Sequence, residues 1–154
     1  MTLSISASWE HPVKLRSDQS GFTYECETSD VLECPGVYVF YRKHGDKLEI
    51  LYIGRTINVR RRLHQHLNSV KLMRDIYEAK TGSRYFIYCQ PKTKPGQRLS
   101  QVLAILENAL IDHAMSQGHD LRQKQGVRPK HHLIEFTGNR TSEALAGRLM
   151  RKRV

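Results

Sequence analysis

The chain lacks a long apolar run. Nothing in its 154 residues approaches the span of about 18 consecutive apolar residues that a membrane helix requires, so no transmembrane segment is expected. The N-terminus, MTLSISASWEH, has no basic region leading into an apolar segment, and no secretory signal is read there. Cysteine is scarce: Cys26, Cys34 and Cys89 make an odd count without a C-x-x-C pair. A disulfide framework or zinc finger is therefore poorly supported. A zinc site joining Cys26 and Cys34 to His131 and His132 would also depart from the ligand spacings that structural zinc prefers. Reduced thiols in a cytoplasmic protein fit better. No internal repeat, low-complexity stretch or long linker interrupts the chain, so residues 1–154 are read as one domain. Acidic residues are few, 15 Asp and Glu against 25 Lys and Arg, a formal net charge of +10. That imbalance favours a polyanionic partner, most simply nucleic acid. A membrane surface fits less well, because the arginines are not confined to one amphipathic segment.

Local patterning divides the chain into strands and helices. Residues 8–15 and 21–27 read as short strands, the first demoted to an edge by Pro12. VYVFYR (37–42) and KLEILYI (47–53) flank KHGD and form the clearest hairpin. Residues 57–70 are helical by period, with Val59, Leu63, Leu67 and Val70 on the apolar stripe and Asn58, Arg62 and His66 beside it. A short helix over 72–80, a strand over 83–90 and a long helix over 97–118 follow. The long helix buries Leu99, Val102, Leu103, Leu106, Leu110 and Ala114. KHHLIEFTG reads as a last edge strand, and TSEALAGRLMRKRV as a basic terminal helix. This order gives an α+β fold: a small three-stranded central sheet flanked by helices, with extra N-terminal strands and a C-terminal strand and helix.

One stretch, YIGRTINVRRRLHQH (52–66), concentrates unusual chemistry. A hairpin register summing to 90 would place Tyr38 opposite Tyr52, so two phenols share a sheet face. They are either core tyrosines or part of a site. The glycine turn at Gly54 leads into a helix whose first turn could receive an anion. Arg55 stands at that turn. Arg62 shares its stripe with Asn58 and His66, whereas Arg60 and Arg61 point elsewhere as solvated or steering groups. Glu107 lies on the border of an apolar helix face, where a carboxylate must be paired, coordinated or able to reach water. It is either a boundary glutamate or a ligand for a hard divalent cation.

GVY at 36–38, YIG at 52–54, Arg62 and Glu107 together resemble the GIY-YIG nuclease superfamily over roughly residues 34–126, with 1–33 and 127–154 as elaborations. The resemblance implies a phosphodiester-cleaving endonuclease acting on DNA with one Mg²⁺ or Mn²⁺ per site and no organic cofactor. It assigns catalytic roles to Tyr38, Tyr52, Arg62, His66 and Glu107, with Glu107 as the metal ligand and Tyr38 favoured to assist deprotonation of the attacking water. Arg55 stands where the family often has lysine, and Gln123 stands for its terminal asparagine. Together with Asn58, Arg60 and Arg61, these form the substrate-binding set. The elaborations remain free to read DNA or to form a homodimer. The competing reading is a non-catalytic nucleic-acid-binding module of the same fold.

Overall fold

The computed structural model describes residues 3–17, 24–78, 82–121 and 131–153. Its centre is the hairpin of β4 (Gly36–His44) and β5 (Lys47–Thr56), closed by Gly45 and Asp46 with Gly45 at φ +60°, as a two-residue turn of this hand requires. The free edge of β4 pairs antiparallel with β6 (Ser83–Lys92). β5–β4–β6 is thus the three-stranded antiparallel centre that the strand pattern implies.

The sheet continues to eight strands. The other edge of β6 receives β1 (Ser4–Trp9) and β2 (Val13–Ser17), and β3 (Tyr24–Glu25) pairs with β2. β7 (His131–Thr137) runs parallel to β1, and β8 (Leu149–Arg153) pairs antiparallel with β7. Three sequence readings change here. Segment 8–15 is the end of one strand and the start of another, broken at Glu10–Pro12, where proline offers no N–H and fixes φ. β7 is an interior strand, since β8 covers its outer side. The terminal helix is only α4 (Arg140–Ala146). It stops at Gly147, whose φ of +75° turns the chain back into β8.

Helices cover both faces of the central strands. α3 (Leu99–Ser116) packs Val102, Leu106 and Leu110 on the face bearing Val37, Val39, Ile53 and Ile87. Leu99, expected in that buried face, is 37% exposed at the first turn. On the opposite face, α1 (Val59–Leu67) and α2 (Val70–Tyr77) pack Val59, Leu63, Met73 and Ile76 against Tyr38, Phe40 and Phe86. The alternation Val37/Tyr38/Val39/Phe40 follows from the two-residue period of a strand covered on both sides.

The hairpin register differs from the sum-to-90 pairing. Tyr38 pairs with Gly54 and Phe40 with Tyr52, but Tyr41 pairs with Ile50. Leu51 is therefore the extra residue of a β-bulge. Leu51 and Tyr52 consequently lie on the same face as Tyr38, while Ile50 and Ile53 lie on the other. Carried on without the bulge, the register at the turn would set Tyr52 against Val39, facing α3. The bulge brings the second phenol to the first.

Candidate active site

The site grows from the Tyr38 face of the hairpin and the inner face of α1. Tyr38 is 1% exposed, and its ring stacks near those of Tyr52 (centroids 6.3 Å, 17° between planes) and Phe86 (5.6 Å, 24°). It also lies over Gly54. A Cβ there would collide with the Tyr38 hydroxyl and the ring carbon bearing it. Gly54 is inside β5 and forms no turn, so the glycine serves close approach of a ring to the backbone. This corrects the sequence reading.

Arg62 and His66 stand one helical turn apart on α1. The Tyr38 hydroxyl is 2.6 Å from His66 Nε2 and 3.4 Å from Arg62 Nε. A neutral imidazole with its proton on Nδ1 accepts the phenol O–H at Nε2, while the phenol oxygen accepts from Arg62. Burial, with a smaller contribution from the Arg62 charge, lowers the His66 pKa to about 4, so the ring is neutral and able to accept. Burial also lifts the Tyr38 pKa to about 12, against the opposing pull of the Arg62 hydrogen bond. Burial outweighs arginine here, so the phenol is neutral at ordinary pH. Arg62 is itself aimed by Gln65, whose Oε1 accepts from Nη1 at 3.0 Å. Gln65 is absent from the residues that the sequence singles out, and its three-residue spacing from Arg62 is the one signal for it.

Glu107 enters from α3 on the other side of β5. Its carboxylate is nearly buried, and Oε1 accepts from Arg55 Nη1 at 3.0 Å, with the arginine side chain 47% exposed. Burial raises the carboxyl pKa and the Arg55 charge opposes that rise. Glu107 also lies close enough to Tyr38 for its charge to disfavour phenolate. Tyr38, Tyr52, Arg62, His66 and Glu107 thus converge around the hairpin.

The GIY-YIG catalytic domain family matches residues 34–120, more than half of the chain. The chain belongs to the GIY-YIG family. Nuclease-type activity in general follows from that membership. No curated protein and no solved structure matches the chain. Among the described residues, no helix is long and apolar enough to cross a membrane.

Other expected binding residues of this GIY-YIG chain lie differently. Asn58 is the N-cap of α1, its side chain accepting from the Arg61 N–H at 3.0 Å, so it is not on the Arg62–His66 stripe. The Val59 and Arg60 N–H groups donate to the Cys34 and Leu32 carbonyls. The start of α1 is therefore satisfied within the protein, contrary to the anion-receiving role read from the sequence. Arg60 donates to the Val31 and Ser29 carbonyls, which clamps the loop before β4 and leaves little freedom for steering. Arg61 is exposed. Gln123 lies outside the described residues. A cleft of about 320 Å³ opens beside the constellation, lined by Tyr52, Arg62, Gln65 and His66 together with Ser69 and Lys71 from the start of α2.

A residue with no sequence signal supports the bulge. His119, after α3, accepts the Ile50 N–H at Nδ1, 2.8 Å away. It is held by the left-handed turn at Gly118 and its own N–H bond to Ala114 O. His119→Ala leaves that amide without its acceptor and should cost about 1–3 kcal/mol in denaturant unfolding. His119→Asn, whose Oδ1 can replace Nδ1, should recover part of it. Burial lowers the His119 pKa. The unfolded chain therefore binds the proton first, and stability attributable to His119 should decline as pH falls below about 6.5. Equal stability of all three proteins would remove this role.

Proposed function

We propose that the chain is an endonuclease hydrolysing phosphodiester bonds in DNA, assisted by one Mg²⁺ or Mn²⁺ at Glu107. The observation carrying this reading is the Tyr38 hydroxyl, held between a neutral His66 Nε2 and the Arg62 guanidinium. A binding module has no need of a buried, directed proton path.

The donor set at Glu107 fits a hard divalent cation. Mg²⁺ commonly takes one or two carboxylates and completes its shell with substrate phosphate and water. Glu107 offers one nearly buried carboxylate, with exposed Arg55 as its present partner. Among the described residues, no three His, Cys, Asp or Glu side chains form an all-protein cage, so the proposed ion would draw its remaining ligands from substrate and water. Bound there, the ion would polarise a phosphoryl oxygen and offset charge on the departing 3′ oxygen.

The protein's own groups supply the remaining work. The attacking water forms its bond to phosphorus as its proton passes to Tyr38 Oη, and the phenol proton passes to His66 Nε2. Concerted transfer avoids forming a phenolate whose pKa is about 12. The bond from phosphorus to the 3′ oxygen breaks, leaving a 5′-phosphate and a 3′ oxygen that takes up a proton from solvent. Arg62 balances charge added to the phosphoryl oxygens. Tyr52 faces the cleft and orients phosphate or water through its hydroxyl. Arg55 is positioned to share its charge between Glu107 and the substrate.

The test is incubation with supercoiled, linear and branched DNA, with Mg²⁺ or with EDTA. Cleavage should require the metal, while DNA binding should survive its removal with the steep salt dependence of phosphate neutralisation. Unchanged cleavage in EDTA would remove the metal site. Salt-sensitive binding without cleavage under every metal condition would select the binding module.

A further inference from the structure

A second groove lies beside Arg55. It encloses about 660 Å³, roughly twice the cleft at Tyr52 and Arg62, and is lined mainly by Ile57, Leu99 and Leu103 with Arg55 and Arg98 at its edges. Its size is ample for one nucleotide. Ile57 is 68% exposed, the most exposed large apolar side chain among the described residues. It is not on a loose loop. Thr56 Oγ1 accepts from the Asn58 N–H at 3.1 Å and donates to its carbonyl at 3.2 Å, and Asn58 caps α1. Both neighbours of Ile57 are pinned, so the aliphatic side chain is held out into water at fixed geometry.

We infer that this shelf receives the sugar and base of a nucleotide flanking the scissile phosphate, with adjacent phosphates on Arg55 and Arg98. The inference rests on the nuclease reading and extends it to substrate class. Charge chooses the occupant: the described lining carries two arginines and no carboxylate, in a chain of net +10. The shelf is also continuous with the site, because Arg55 bridges it to Glu107. An aliphatic ledge gains nothing from base edges that are already paired and stacked. It gains apolar contact only when a base is splayed or a step is opened, as apolar wedges do in DNA-bending proteins. The structure therefore favours DNA with an unpaired or opened position next to the cut over uninterrupted duplex.

Binding should be measured in EDTA by fluorescence anisotropy, using a paired duplex and the same sequence with a short single-stranded fork. The wild type should bind the fork about tenfold more tightly, the scale expected for burying one aliphatic side chain. Ile57→Ser and Leu99→Ser should each lose most of that preference while leaving duplex binding unchanged. Ile57→Leu should keep it. Both positions are exposed, so folding should be retained, and circular dichroism checks this directly. Equal affinity of the wild type for fork and duplex, or a fork preference unaltered in Ile57→Ser, would overturn the inference even with cleavage intact. A wild-type dimer that becomes monomeric in Ile57→Ser, with DNA binding unchanged, would assign the shelf to a second copy and overturn it likewise. A wild type that neither binds nor cuts any DNA would remove the nuclease reading itself.

Discussion

Tyr38→Phe should lower the cleavage rate by about 10²–10⁴-fold, the range for loss of a positioned general acid or base. The ring is buried and its packing on Phe86 and Tyr52 is retained. Only the hydroxyl between His66 and Arg62 is deleted. Stability should fall by about 1–3 kcal/mol, because His66 Nε2 is left buried without its donor. The pH profile separates a relay from a preformed phenolate. With Tyr38 at about 12 and His66 at about 4, wild-type activity should be nearly level from pH 7 to 9. Protonation of His66, or of Glu107, removes a required acceptor or charge, so the rate should fall on the acid side. A rise of tenfold per pH unit across the neutral range would instead indicate ionisation of the phenol before attack. Wild-type cleavage by Tyr38→Phe would end the base assignment.

Much of this arrangement was legible from the sequence because it rests on local periodicity. The two-residue alternation around VYVFYR and the turn Gly45 mark the hairpin, and the four-residue step from Arg62 to His66 puts both on one side of α1. Glu107 betrays itself by its place on an apolar helix. The missed features are long-range or come from a single residue. The parallel pairing of β1 with β7 joins segments more than 120 residues apart, and nothing local in either announces it. The bulge at Leu51 adds no distinctive residue, yet it resets the register by one and decides which face Tyr52 occupies. Its support, His119, lies beyond α3 and meets Ile50 only after folding. The arginine run was misleading for a related reason. Spacing identified Arg62, but only packing reveals that Arg60 clamps the Ser29–Val31 backbone. At the C-terminus, cap and composition suggested one helix, and Gly147 split it because the strand β8 had a partner in β7.

Gly54→Ala should disable cleavage by about 100-fold or more without touching any reacting group. Nothing about the glycine's backbone requires it, since its φ is not in the left-handed region. The requirement is space: the added methyl would meet Tyr38 at the hydroxyl and at its ring carbon. The ring cannot retreat, because Phe86 and Phe40 pack on it and His66 stands 5.2 Å from its centroid. Displacing Oη by even about 1 Å would misalign the bonds to His66 and Arg62, a shift large enough to cost about 10² in rate. Overpacking should also destabilise the fold by about 1–3 kcal/mol. The decisive comparison is Gly54→Ala combined with Tyr38→Phe. If the methyl acts by moving Oη, the double variant should cleave no more slowly than Tyr38→Phe alone, and removal of the clashing hydroxyl should restore part of the lost stability. Fully additive losses in rate would mean that Gly54 affects something other than Tyr38. Wild-type cleavage by Gly54→Ala would show that the phenol's placement is not limiting.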